Sequence, residues 1–255
     1  MITQNPNGSL LTTIENKIAT LEFGHPASNS FPSELLERMT KELYSLSNNT
    51  EVSVIVVKSS GVVAFCAGAS FEELLTVSNA EEGTKFFSGF ANLINAMRNC
   101  SKIIVGRIHG KAVGGGVGIA AACDYALATH KSSIKLPELA IGIGPFVIEP
   151  AVTRKIGKTA MSEMALEAHE WKTAAWANQK GLYARVFETT EELDEEVALF
   201  ASKLASYSPE ALNELKKILW EGTENWDTLL YERAAISGKL VLSDFTKNIL
   251  SKIKK

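Results

Sequence analysis

The stretch Gly110-Lys-Ala-Val-Gly114-Gly115-Gly116-Val-Gly118, followed at once by Ile119-Ala-Ala-Ala122, places a run of small residues directly before a short helix. At a helix N-terminus the backbone N–H groups are unpaired and the dipole favours negative charge. Small side chains there let a ligand approach the backbone closely. A second loop of the same make-up lies upstream, Phe65-Cys66-Ala67-Gly68-Ala69-Ser70, ahead of a helix expected from about Phe71. Two such termini converging on one point would form a two-donor oxyanion hole. Taken singly, each loop reads as an ordinary tight turn, since glycine-rich turns are far commoner than oxyanion holes.

Outward from these loops the chain alternates strands and helices. Residues 10–23 alternate apolar and polar around Glu15-Asn16-Lys17, which predicts a β-hairpin. Leu35, Leu36, Met39, Leu43 and Leu46 recur at helical spacing over Pro32 to Leu46. Val52 to Lys58 is a β-branched run suited to a buried strand. After the glycine-containing loop Gly61 to Ser70, residues 71–99 read as one helix with Phe86, Phe87, Phe90, Leu93, Ile94 and Met97 on one face. Strand Ile103 to Val105, the loop 110–118, a short helix to Ala122 and strand Tyr125 to Thr129 repeat the order. This succession predicts α/β layering. Beyond Thr159 only Ala184 to Phe187 reads as a strand, and residues 191–206 and 209–220 are amphipathic helices, the second opened by Ser208-Pro209. The expected organisation is a core over residues 1–190 and a helical region over 191–255.

Lys135-Leu-Pro137-Glu138-Leu-Ala-Ile-Gly142 sets one carboxylate in an apolar stretch. Partial desolvation would raise its pKa and suit it to proton exchange with carbon or water near neutral pH. The alternative is a capping or bridging glutamate at the surface. Gly116-Val-Gly118-Ile-Ala-Ala121, with Glu138 twenty residues past Gly118, also fits a dinucleotide fingerprint. Gly106, Arg107, His109, Gly110 and Lys111 interrupt the strand that should precede it, and Pro137 disfavours a central strand before the acid. A nicotinamide cofactor is therefore not expected.

The succession Phe65-Cys-Ala-Gly-Ala69, Gly110 with Gly114-Gly-Gly116, Ala122-Cys-Asp124 and Leu136-Pro-Glu138 with Gly142 resembles the crotonase (enoyl-CoA hydratase/isomerase) superfamily. Pro26, Asn29, Ala174-Ala175, Gly181-Leu182 and Val186 fit the same pattern, so the likeness runs from about His25 into the helical region. The resemblance implies a crotonase-type spiral of ββα units with a C-terminal helical trimerisation region, assembled as a homotrimer or dimer of trimers. It implies an acyl-CoA substrate whose thioester oxygen is held by the N–H groups of Ala69 and Gly115. Glu138 would be a proton-transfer group, and Ala67, Gly68 and Gly114 would line the CoA path. No metal or redox cofactor is implied, since CoA arrives as part of the substrate.

Three positions depart from the family pattern. Gly118 stands where two-glutamate hydratases carry their other carboxylate, Ser70 replaces an aspartate, and the chain after Asp244 lacks a glycine-containing end. One carboxylate is what Δ3,Δ2-enoyl-CoA isomerases tend to keep. Yet Gly142 to Gly157 lacks the Gly-Gly-Thr-Gln-Arg run of ordinary hydratases and is more similar to bacterial methylglutaconyl-CoA hydratases. That likeness tips the expectation narrowly towards hydration, with isomerisation and non-catalytic acyl-CoA binding as alternatives. For hydration, Glu149, a backbone carbonyl or a substrate carboxylate met by Arg154 or Lys155 would have to orient the water.

The remaining composition agrees with such an enzyme. The 255 residues are 45% hydrophobic and 22% charged, and 26 basic against 29 acidic residues leave a net charge of −3. No basic field is present to hold nucleic acid. Cys66, Cys100 and Cys123 are odd in number, widely spaced and without a CxxC pair, so they are expected as buried thiols in a reducing compartment. The start, Met1-Ile-Thr-Gln-Asn-Pro-Asn-Gly8, has no basic residue followed by an apolar run, so neither a signal peptide nor a membrane span is expected. A cytoplasmic location follows as an expectation.

Overall fold

The computed structural model describes residues 7–253. Met1 to Pro6, which carry most of the segment read as having no leader, and the last two lysines of the basic tail lie outside them.

The hairpin forms as expected: β1 (Ser9–Glu15) and β2 (Ile18–Gly24) pair antiparallel, Glu15 opposite Ile18. Its two-residue turn holds Asn16 and Lys17 at φ 51° and 66°, the left-handed pair that matches the strand twist. Helix α1 (Ser33–Asn48) buries Leu35, Leu36, Met39, Leu43 and Leu46, the residues picked out by their spacing. Then follow β3 (Val54–Ser59), β4 (Ala64–Cys66), α2 (Phe71–Leu74) and α3 (Ala80–Asn99). The single helix expected over 71–99 is thus two. Asn79 caps α3 by accepting from the Glu82 N–H (2.9 Å), and Glu82 in turn accepts from the Ser78 N–H and hydroxyl. That reciprocal cap opens α3 as a helix separate from α2, which ends at Leu74.

Next come β5 (Ile103–Ile108), β6 (Lys111–Val113), α4 (Gly115–Ala122), β7 (Tyr125–Thr129), β8 (Ile134–Lys135), a 3-10 turn (Glu138–Ile141) and α5 (Glu149–Leu166). The chain continues through α6 (Ala174–Gln179), β9 (Arg185–Phe187), α7 (Thr190–Ala205), α8 (Pro209–Leu219), α9 (Trp226–Leu240) and α10 (Asp244–Ile253). β5 is longer than predicted and runs through Gly106 and Arg107. Arg107 is accommodated because α7 offers Asp194, which accepts from Nε at 2.6 Å and from Nη2 at 2.9 Å. The glycine loop is shorter than the predicted 110–118, since β6 takes residues 111–113 and α4 begins at Gly115.

The strands form a six-stranded sheet, β1-β2-β3-β5-β7-β9, and a three-stranded one, β4-β6-β8, with only β1 antiparallel. Each of three successive units therefore sends one strand to the large sheet, the next to the small sheet, and then a helical segment back. This is the spiral of ββα units. Both faces of the large sheet are covered: Ile55, Val57 and Ile104 enter the main core, while Val54, Val56, Ile103 and Val105 meet Leu193, Val197 and Ala201 of α7. Two-sided burial explains why these strands read as continuous apolar runs.

Asp124 ties the helical region to this core. Its buried carboxylate meets Lys216 Nζ at 3.0 Å and accepts from the Ile104 N–H (2.7 Å) and Trp220 Nε1 (2.6 Å). Lys216 also donates to the Met97 and Lys102 carbonyls. Removing one partner of such a buried pair strands the other charge, a loss of about 3–5 kcal/mol. The three cysteines are buried and free, and burial pushes the Cys66 and Cys123 thiols up to about 12.

Candidate active site

The small sheet brings the two loops together. Asn29, in a left-handed turn with φ 57°, donates to the Ser60 and Ala64 carbonyls at 2.8 Å and accepts from the His25 N–H. It fixes the β2–α1 connection against the start of β4. The Phe31 N–H then donates to the Gly68 carbonyl (2.8 Å) and the Ser70 N–H to the Phe31 carbonyl (2.9 Å), which holds the β4–α2 loop extended. Ser70, where the family carries aspartate, caps α2 by accepting from the Glu73 N–H.

Glycine is required at two places. Gly68 has φ 89°, and a Cβ there would come within 3.0 Å of the Val113 carbonyl and 3.4 Å of the Gly115 nitrogen, so the two loops touch backbone to backbone. Gly114 has φ 53° and ψ −119°, a conformation closed to other residues. Gly115 is the first residue of α4, where N–H groups lack helical acceptors. Neither the Ala69 nor the Gly115 N–H donates to a backbone carbonyl among the described residues.

Both loops open on a cavity of about 200 Å³ lined by all six residues predicted for the site: Ala67, Gly68, Ala69, Gly114, Gly115 and Glu138. Phe71, Phe86, Phe87, Phe90 and Ile143 supply apolar walls. Glu138 opens the 3-10 turn and presents Oε1 to Gly114, where a Cβ would lie only 2.6 Å away. Its Oε2 is enclosed and has no hydrogen-bond partner among the described residues. Although the residue as a whole is only partly buried, desolvation of the carboxyl pushes its pKa up to about 7; a backbone hydrogen bond opposes the shift. A carboxyl poised near neutrality can both take and return a proton.

Gly118 has moved into the body of α4. A Cβ there would meet Ile148 Cγ2 at 2.5 Å and Cβ at 2.9 Å. The isoleucine occupies the space that a side chain at position 118 would enter. The dinucleotide fingerprint dissolves on the same ground, because Gly116 and Gly118 are helical and pack on Cys66 and Ile148.

The other predicted water-orienting groups stand elsewhere. Glu149 starts α5, accepts from the Thr153 hydroxyl and faces Arg233. Arg154 stacks 3.9 Å over the Trp220 ring and donates to the Leu219 carbonyl, and Lys155 Nζ donates to the Asp124 carbonyl (2.9 Å). None of the three lines the cavity, and no Lys or Arg does among the described residues. Sequence reasoning missed Ser237, which α9 brings to the cavity wall from far along the chain. It also missed Ile148 as the occupant of the space beside Gly118.

The model of a family described as enoyl-CoA hydratase/isomerase matches residues 13–243. A short-chain-enoyl-CoA hydratase of Clostridium acetobutylicum is 26% identical over 240 residues, 93% of this chain and 91% of its own. A peroxisomal Δ(3,5)-Δ(2,4)-dienoyl-CoA isomerase of Arabidopsis thaliana is 28% identical over 239 residues, 88% of this chain and 82% of its own. Among solved structures, an enoyl-CoA hydratase from Bacillus halodurans superposes with a TM-score of 0.87 at 22% identity, covering 95% of this chain and 99% of that one.

Proposed function

The chain belongs to the enoyl-CoA hydratase/isomerase family, and from that premise we propose that it moves a double bond within the uncharged acyl chain of an enoyl-CoA by a single carboxylate, Glu138. The thioester oxygen sits between the Ala69 and Gly115 N–H groups. The Glu138 carboxylate takes a proton from C2 of a 3-enoyl-CoA, and the electron pair spreads through the dienolate onto that oxygen. The neutral acid then returns the proton to C4, and the double bond is left between C2 and C3. The Ala69 and Gly115 N–H groups, which donate to no backbone carbonyl among the described residues, would meet the charge as it develops and lower the barrier. No proton acceptor beyond Glu138 is needed, and CoA enters and leaves with the acyl group.

The observation that carries this reading is Ile148 filling the space beside Gly118. Syn addition of water is commonly served by two carboxylates, and at position 118 Ile148 crowds the place where a side chain would start. Hydration is the second reading. It is favoured by the likeness of Gly142 to Gly157 to methylglutaconyl-CoA hydratases and by the similarity to the Clostridium short-chain-enoyl-CoA hydratase. A methylglutaconyl group brings its own carboxylate, but among the described residues the cavity offers it no Lys or Arg.

The test follows the conjugated thioester band in ultraviolet absorption. Conversion of 3-hexenoyl-CoA to the 2-enoyl ester should exceed hydration of crotonyl-CoA or 3-methylglutaconyl-CoA by about 10²-fold, the worth of one missing acid–base group. Hydration faster than isomerisation would decide for the second reading. Binding of these esters with turnover of none would leave an acyl-CoA-binding protein.

The same proposal includes assembly as a homotrimer or dimer of trimers. Leu215, Ile218 and Leu219, spaced to share one face of α8, are exposed apolar side chains, as is Leu199 on α7, and such a face suits a contact between chains. Sedimentation should give three or six chains; a monomer independent of concentration would refute the assembly.

A further inference from the structure

Two polar side chains line the cavity among the described residues, Glu138 and Ser237. The first is accounted for by proton transfer. Ser237 is 1% exposed, and its Oγ has no hydrogen-bond partner among the described residues. A helical serine commonly returns its hydroxyl to a carbonyl one turn back. This one does not, so a buried donor and acceptor is left facing an apolar chamber.

The position of Ser237 is built by a close helix crossing. Gly83 of α3 and Gly238 of α9 meet backbone to backbone: a Cβ on Gly83 would lie 2.7 Å from the Gly238 Cα and carbonyl oxygen. Without side chains at the crossing, α9 descends onto α3 and carries its inner face to the cavity. One turn on from Ser237, Val241 packs with Leu74, Phe86 and Ile143, the apolar cluster beside the chamber. Ser237 therefore reaches the cavity from α9, an element other than the β4–α2 and β6–α4 loops.

We infer that Ser237 Oγ is a specificity contact for an acyl chain carrying one neutral oxygen, a hydroxyl or a carbonyl, remote from its thioester. The inference rests on the acyl-CoA reading of the site. The oxygen is neutral because no Lys or Arg lines the cavity among the described residues, and a carboxylate facing one hydroxyl would stay desolvated without a counter-charge. It is an oxygen because a purely alkyl chain would leave the buried hydroxyl unpaired in the complex as well, whereas a site built to bond such a group disfavours the analogue that lacks it.

Calorimetric binding of saturated thioesters tests the contact apart from turnover. The series is octanoyl-CoA and its monohydroxy derivatives with the hydroxyl moved stepwise from C4 to C8. One position should bind the native protein about tenfold more tightly than octanoyl-CoA, the worth of one neutral hydrogen bond made in a dry site. Ser237→Ala should erase that preference, keep or improve octanoyl-CoA binding, and leave the melting temperature undiminished, since no hydrogen bond is lost from the free protein. The inference falls if no hydroxylated chain binds better than octanoyl-CoA. It falls equally if the preference survives in Ser237→Ala, or if that variant melts several degrees lower. A preference that holds while every enoyl-CoA remains unconverted would overturn the isomerase reading and leave the Ser237 contact standing. Failure to bind any acyl-CoA would overturn both.

Discussion

Glu138→Gln should lower the conversion of 3-hexenoyl-CoA by about 10²–10⁴-fold while leaving acyl-CoA affinity close to native. The amide is nearly isosteric, so the cavity and the Gly114 contact persist, but it can neither accept nor return the proton. The pH dependence gives the assignment an independent signature. In the native protein kcat/KM should rise with pH through an apparent pKa near 7, as the carboxylate forms. Stability should run the opposite way. The folded pKa lies above the ordinary value of 4.5, so the folded state holds the proton more tightly than the unfolded chain. Its contribution is fully present below about pH 4.5 and is lost as pH rises through 7, by roughly 3 kcal/mol at the limit. The substituted amide carries no such proton. The variant should therefore melt higher than the native protein at pH 8, with the gap closing towards pH 5. A Glu138→Gln variant that keeps most of the activity, or melts no higher at pH 8, would remove Glu138 from the mechanism.

How far this site could be read in advance depended on the range of the interactions. Glu138 was legible because its apolar setting, Pro137 and Leu139, is local, and local apolarity is what desolvates the carboxyl. The β-branched strands and the α1 stripe were legible because burial on a fixed period is written along the chain. β4, β6 and β8 were not, since two or three residues cannot show a period. The aromatic spacing of Phe86, Phe87 and Phe90 hid the break before α3, although Ser78-Asn79 with Glu82 was the available signal. Arg107 looked like an interruption because its partner Asp194 lies on another element. The absence of a carboxylate at Gly118 was plain, but its meaning lay in Ile148, thirty residues away on the approach to α5. Ser237 could not be found at all. Its burial depends on Gly83 meeting Gly238, a contact between two helices that no local pattern encodes.

Gly114→Ala should reduce turnover by about 10²–10³-fold, the effect of spoiling one oxyanion donor. Gly114 caps α4: its N–H donates to the Lys135 carbonyl (2.9 Å), and its own carbonyl accepts from the Val117 and Gly118 N–H groups. At φ 53° and ψ −119° an alanine is strained by roughly 1–3 kcal/mol. Its methyl would also press on Glu138 Oε1, 2.6 Å away. Relief can come from moving the backbone, which turns the Gly115 N–H off the thioester oxygen, or from moving the carboxylate, which misplaces the base. Gly61→Ala controls for strain alone, because it too has positive φ (78°) but nothing lies within 4 Å of the new methyl. That variant should lose a little stability and no activity. The double variant Gly114→Ala/Glu138→Gln separates the two routes. If the methyl acts by displacing the carboxylate, the double variant should be about as slow as Glu138→Gln alone, since the displaced group is already dead. If it acts through the Gly115 N–H, the two losses should multiply, because dienolate stabilisation and proton transfer would then fail separately. Native turnover in Gly114→Ala would break the link between the glycine loop and the reaction.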